Sequence, residues 1–176
     1  MEDNGVTVIR KTETKDLDSI MPIFSEARKT IALLGIDQWQ NGYPSRSIIE
    51  EDVKREQSYC VLSDGKIIAT FALILHGEPT YDEIFDGNWL TGDEKGQYIA
   101  IHRVAIAISS RGSGISGKII DFAADIARFL GKKSLRIDTH EGNVVMRRML
   151  EKNHFVHCGT IYLNDGDKRV AYEKIL

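Results

Sequence analysis

Cysteine is scarce: only Cys60 and Cys158 occur among 176 residues, far apart and each in an apolar, strand-like run. That spacing supplies neither a paired-cysteine zinc site nor the disulfide framework of a small secreted domain, and it fits a reducing cytoplasm. Neither sign of charge dominates. Lys and Arg number 23 against 26 Asp and Glu, a net charge of −3, so no electrostatic footprint for nucleic acid or an anionic membrane is present. No apolar run approaches the ~20 residues a bilayer span requires, and Met1-Glu2-Asp3-Asn4 is acidic where a secretory signal would build an apolar core. Repeats and low-complexity segments are also absent. These absences point to a small partner. With 42% hydrophobic residues the chain can bury a sizeable core, and its length fits a single domain spanning residues 1–176.

Hydrophobic periodicity then lays out the elements. Val6 to Arg10 reads as a short strand, and Asp16 opens a helix that carries Leu17, Ile20, Ile23, Phe24, Ala27, Ile31 and Leu34 at helical spacing and stops at Gly35. Trp39 and Tyr43-Pro44 precede a second helix from about Ser45 to Arg55. Tyr59 to Leu62 and Ile67 to Leu75 flank Ser63-Asp64-Gly65-Lys66, a hairpin signal. His76 to Gly96 is polar, aperiodic and rich in Gly, Asp and Glu, which predicts a mobile loop. After a strand over Tyr98 to Ile106 comes a helix whose stripe is Ile115, Ile119, Phe122, Ile126 and Phe129 or Leu130. Leu135 and Ile137 alternate in a fifth strand, and Asn143 caps a last helix ending near Asn153. Phe155 to Leu163 and Arg169 to Lys174 close the chain as a hairpin around Asn164-Asp165-Gly166-Asp167.

Between the strand ending at Ile106 and the helix beginning near Ile115 lies Arg111-Gly112-Ser113-Gly114-Ile115-Ser116-Gly117. A glycine-rich turn that opens a helix gathers unpaired N–H groups at the positive end of the helix dipole, which suits phosphate. Glycine lets a diphosphate approach the main chain, and Arg111 adds a fixed positive charge. Two rival readings stand beside this one. Such turns also serve chain geometry alone. Alternatively, Gly112-x-Gly114-x-x-Gly117 with Asp138 ~20 residues on follows the dinucleotide fingerprint of an oxidoreductase. Against the fingerprint, Ala107 to Arg111 separate strand from glycine, and a start past residue 100 leaves too little chain for the remaining parallel strands.

The order of elements and three motifs together resemble the GCN5-related N-acetyltransferase (GNAT) family over nearly the whole chain. Arg111, Gly112-Ser113, Gly114, Ile115, Ser116 matches the acetyl-CoA signature at five of six positions, with Ser116 where Gly or Ala is usual. Arg103-Val104-Ala105-Ile106 resembles the fourth strand, and Asn143 followed by Phe155 matches the Asn and Phe around the last helix. The resemblance implies an α/β (α+β) fold with a mixed, mostly antiparallel sheet flanked by helices, its fourth and fifth strands splayed around acetyl-CoA. It implies acetyl transfer to a primary amine of a small molecule or peptide, with acetyl-CoA as co-substrate and no metal, and it is compatible with a homodimer. By the same resemblance the diphosphate lies on Gly112 to Gly117 beside Arg111, and the pantetheine arm runs along Val104, Ala105 and Ile106. A backbone N–H near Ile106 serves the developing oxyanion, and Asn143 meets the arm or caps its helix.

An amine with a pKa of ~10 must lose a proton before it attacks. His102 is the candidate base or relay: period-two alternation puts it on the same strand face as Ile106, and it stands where serotonin N-acetyltransferases place a relay histidine. A hydrogen-bonded structural histidine is the competing reading. His76, His140, His154 and His157 form no pair with metal-ligand spacing. Leu150 and His154 occupy positions where many members carry a Tyr that protonates the thiolate and a Gly before the Phe. The acid is then Tyr162, water or none, and a non-catalytic acetyl-CoA sensor stays open. Trp39, Gln40, Tyr43 and the His76 to Gly96 loop are the expected acceptor lining, and Glu78, Asp82, Glu83 and Asp86 tilt it toward a cationic amine.

Overall fold

The computed structural model describes residues 6–92 and 94–176; the acidic start of the chain and Asp93 of the 76–96 segment lie outside the described residues. Seven strands are described: β1 Thr7–Lys11, β2 Ser58–Ser63, β3 Lys66–Ile74, β4 Tyr98–Ile106, β5 Ser134–Thr139, β6 Val156–Tyr162 and β7 Lys168–Ile175. Four helices accompany them: α1 Leu17–Ala32, α2 Arg46–Lys54, α3 Ile115–Phe129 and α4 Val144–Lys152. The strands form one mixed, mostly antiparallel sheet in the order β1-β2-β3-β4-β5-β7-β6. Its parallel pair is β4–β5, joined through Tyr98↔Ser134, Ile99↔Leu135 and Ala100↔Arg136.

By internal contacts the described chain divides into two compact units, one of residues 6–72 with Arg103–Ile119 and one of Leu73–His102 with Ile120–Leu176. In the first, β1 pairs with β2 from Thr7↔Ser63 to Lys11↔Tyr59, and Asp64-Gly65 turns β2 into β3 with both residues at positive φ, 49° and 79°. That φ pair is what an Asp-Gly hairpin turn requires. Leu17, Ile20, Ile23, Phe24 and Ala27 of α1 meet Ile49 of α2, Cys60 of β2 and Ala105 of β4 in one core. Asp16 is not the side-chain cap expected for α1. Its carboxylate instead accepts from Glu13 N at 2.8 Å and pairs with Arg10 at 2.7 Å, and this arginine holds the acid below its ordinary range. Ser45 does cap α2, accepting from Ile48 N at 3.4 Å.

In the second unit β7 lies between β5 and β6, antiparallel to both. The segment expected to be mobile is anchored by its side chains. Tyr81 and Trp89 are buried with Tyr98, Ala100, Cys158, Ile161 and Ala171, and the main chain at Phe85 bridges Thr160. A Cβ on Gly87 would collide with the Cys158 carbonyl, so the chain there can approach only as glycine. Glu173, fully buried, accepts from Leu90 N at 2.5 Å, Thr91 Oγ1 at 2.6 Å, Ser134 Oγ at 2.5 Å and Arg136 Nε at 2.9 Å. The Arg136 guanidinium is itself held 4.2 Å and 4.1 Å from the Trp89 and Tyr98 ring centres. The helical period of α3 is as expected, and Ile115 and Ile119 of its expected stripe are buried with Phe122 and Ile126 half-buried, but the stripe fails at its last member. Phe129 is 90% exposed and Leu130 44%, while Ile115, Ile119, Ile120, Ala123, Ala124 and Ala127 are buried.

Candidate functional site

The glycine turn is built by a short 3₁₀ turn, Ile108–Ser110, that follows β4. Ser110 N donates to Ala107 O at 2.9 Å and Ser113 Oγ to Ser110 O at 2.6 Å. Gly112 and Gly114 stand at φ 78° and 80°, where a side chain is strained. A Cβ at either would meet nothing within 4 Å, so backbone conformation selects glycine here and the space before the turn stays open. Arg111 to Gly114 are exposed, Ile115 is buried as an anchor, and Lys118 N closes the first turn of α3 on Gly114 O at 3.2 Å. The N–H groups before Lys118 therefore precede the helical ladder. Arg111 is tied to its own unit, Nε to Ile106 O at 3.3 Å and NH1 to Thr30 Oγ1 at 3.0 Å, while Glu26 accepts from Ile108 N at 3.2 Å.

Just before this turn the pleat of β4 is interrupted. Arg103 sits at φ 54° in the middle of the strand, and a left-handed residue inside a strand shifts the alternation of those beyond it. The expectation that His102 and Ile106 share a face by counting in twos therefore does not carry across Arg103. Val104 and Ile106 are half-buried, Ala105 is buried in the α1–α2 core, and Ala107 N donates to Ile68 O at 2.8 Å. The Arg103 guanidinium pairs with Asp52 at 2.6 Å and donates to Tyr43 Oη at 2.8 Å. Trp39 and Tyr43 are both half-buried; Trp39 packs edge-on against Phe24 at 6.0 Å and meets Tyr43 at 6.1 Å.

In the second unit His102 lies between two carboxylates. Nε2 is 2.9 Å from Glu78 Oε2, and Nδ1 is 4.0 Å from Asp138 Oδ1. Burial alone would raise the Glu78 carboxyl, but the hydrogen bond and charge of His102, with Thr80 N and Oγ1, bring it down to about 2. An ionised carboxylate only accepts, so Nε2 donates to Glu78, and whenever the ring is neutral Nδ1 is the nitrogen that is free of a proton. Tyr81 Oη donates to Asp138 Oδ1 at 2.6 Å, and its burial pushes the phenol well above its ordinary range. Tyr98 Oη accepts from Glu78 N at 2.9 Å. Sequence reading takes Glu78 only as one acid of the acceptor loop and not as a partner of His102, Tyr81 is absent from the expected site because its segment has no period, and Asp138 enters there only through the dinucleotide fingerprint. Among the described residues no group of three or more His, Cys, Asp or Glu side chains is arranged to hold a metal ion.

Asn143 Oδ1 accepts from Met146 N at 3.2 Å and so caps α4. Leu150 is fully buried, Tyr162 is 45% exposed against Phe85 at 5.4 Å, and Asp82 pairs with Lys95 at 2.6 Å.

Residues 18–155 match the sequence model of the acetyltransferase (GNAT) family. Among solved structures, a GNAT-family acetyltransferase from Streptococcus agalactiae 2603 is 34% identical, with 97% of this chain and 95% of that one covered at a TM-score of 0.81. A GNAT-family acetyltransferase from Listeria monocytogenes 4b F2365 is 16% identical over 100% and 98% of the two chains, TM-score 0.73. The PaiA N-acetyltransferase of Thermoplasma acidophilum, solved in complex with coenzyme A, is 16% identical over 97% and 99%, TM-score 0.69. At 16% identity these last two share the fold alone. No curated protein sequence matches the chain.

Proposed function

Because this chain belongs to the acetyltransferase (GNAT) family, we propose that it moves the acetyl group of acetyl-CoA directly to a primary amine of a small molecule or peptide. The observation that carries the reading is the turn at Gly112 and Gly114, whose positive φ values and open approach suit a diphosphate laid on main-chain N–H groups at the start of α3. Arg111 supplies the adjacent charge, and Gly112, Ser113, Gly114, Ile115, Ser116 and Gly117 the donors. Bound there, acetyl-CoA supplies the activated acyl thioester. Val104, Ala105 and Ile106 offer main chain to the extended arm as a sheet edge does, with Asn143 a second polar contact. The N–H of Ile106 is the donor for charge developing on the acyl oxygen, and a fixed donor favours the transition state over the ground state.

His102 takes the amine proton at Nδ1, held in that tautomer by Glu78. The carboxylates of Glu78 and Asp138 beside His102 favour an acceptor that arrives as a cation, and Trp39 and Tyr43 are candidate acceptor contacts by the family resemblance alone. Leu150, buried where the family's acidic Tyr would stand, supports a second reading in which the protein binds acetyl-CoA as a sensor. Calorimetry with acetyl-CoA and NAD, beside a broad amine screen that detects free CoA thiol, separates these. Acetyl-CoA is expected to bind, NAD not, and Gly114→Val is expected to abolish binding while the protein stays folded, because a β-branched residue is strained at φ 80° and enters the diphosphate's space. Acetyl-CoA binding without thiol release for any amine would favour the sensor. Tight NAD binding with no response to acetyl-CoA would overturn both.

A further inference from the structure

Arg103 is the long, charged residue at the break in β4, and nothing in its own backbone conformation favours it there. At φ 54° a non-glycine residue is strained, and such strain persists only where surrounding contacts over-determine it. Those contacts are specific. Asp52 on α2, only 4% exposed, accepts from NH2 of the guanidinium at 2.8 Å through Oδ1, with Oδ2 2.6 Å from Nε as an ion pair, and is itself fixed by Gln57 Nε2 at 3.0 Å. NH1 reaches Tyr43 Oη at 2.8 Å. Beyond the break the strand is pinned again, by the Ala105 methyl in the core and by Ala107 N on Ile68 O. The irregular stretch thus has a defined beginning and end, and its middle is the Val104–Ile106 main chain.

We propose that Arg103, acting through Asp52 and Tyr43, is a positioning residue that holds β4 in the broken conformation from which Val104–Ile106 receive the extended arm of acetyl-CoA. The identity of that ligand rests on the function proposed above; the brace itself does not. The same guanidinium joins Tyr43, a candidate acceptor contact, to the donor-binding strand. Loss of Tyr43 Oη therefore disturbs donor binding as well as acceptor binding.

The test compares two double variants, Asp52→Asn/Arg103→Gly and Asp52→Asn/Arg103→Ala. Both lack the ion pair and leave no unpaired buried charge, so they differ only by a Cβ at a left-handed φ. Glycine tolerates that conformation and alanine does not, so the glycine variant is expected to bind acetyl-CoA about tenfold more tightly than the alanine variant. In ligand-free protein, amide exchange at Val104–Ile106 is expected to stay nearer wild type in the glycine variant. Equal affinity and equal exchange in the two folded variants would overturn the proposal and leave the ion pair as a stabilising contact only. Should the alanine variant not fold, Asp52→Asn alone removes the partner charge without touching β4. It is expected to speed exchange at those amides, and unchanged exchange overturns the brace. Wild-type protein that binds no acetyl-CoA would defeat the functional reading, while the ligand-free exchange comparison would still decide the role of Arg103.

Discussion

Replacing Glu78 by glutamine keeps the size of the side chain but gives His102 Nε2 a partner that can donate as well as accept, so the ring is no longer confined to one tautomer. Glu78→Gln is expected to lower kcat by roughly tenfold or more with little change in acetyl-CoA affinity, and ¹⁵N shifts of the ring should report a loss of the Nε2–H form. The same residue shapes acid stability. Its folded pKa of about 2 lies below the unfolded value, so its contribution is complete above the ordinary glutamate range of ~4.3 and is lost as pH falls toward 2. Wild-type stability should therefore drop more steeply between those values than that of Glu78→Gln in urea titrations. The glycine turn was legible in the sequence because its residues are local in the chain, whereas the period-two spacing that singled out His102 does not carry past the left-handed Arg103. Glu78 was legible only as one acid of a loop; its contact with His102 was not, since it reaches that ring from 24 residues away in the chain through a side-chain contact that no period encodes. Arg103 was legible only as part of a strand motif, because a left-handed φ on an arginine leaves no compositional trace.

The 76–96 segment illustrates what element-level reading misses. It has no hydrophobic period because its order comes from single side chains inserted into the second unit, Tyr81 and Trp89 into the core and Glu173 onto Leu90 and Thr91, rather than from a ladder. Glu173→Gln would leave Arg136 as an unpaired buried charge, and removing one partner of such a pair costs about 3–5 kcal/mol. That variant is expected to unfold at lower temperature and to expose the amides of Leu90 and Thr91 to exchange. Burial would raise the Glu173 carboxyl, but Ser134, Thr91 and Arg136 hold it below its ordinary range. The clamp is therefore present above that range and is lost as pH falls through the lower folded value. Helix α3 shows a different failure. Hydrophobicity ranks Phe129 and Leu130 above alanine, yet Ala123, Ala124 and Ala127 occupy the buried face and the larger residues stand in solvent. Periodicity located the helix and the hairpins well; it had no means to weigh side-chain size against closeness of approach.

At the scale of the molecule, a ligand that binds only the folded state raises stability by mass action. Acetyl-CoA at about a hundred times its Kd should add about 2.7 kcal/mol and raise the thermal midpoint by roughly 5–10 °C for a chain of this size. NAD at the same concentration should leave the midpoint unchanged, and a scanning-fluorimetry series checks both. The sheet order was only partly legible: family resemblance implied its mixed character, whereas the position of β7 between β5 and β6 depends on pairings across up to about forty residues of chain. That position has a consequence for biosynthesis. On the ribosome β5 and β6 emerge first and have no ladder with each other, because every hydrogen-bonded pair either makes in this arrangement with β7 must wait for Lys168–Ile175 to be translated. Until then two strands with open edges sit in the nascent chain, which makes this interval the stage at which a chaperone, or a mispairing neighbour, would find the protein most receptive.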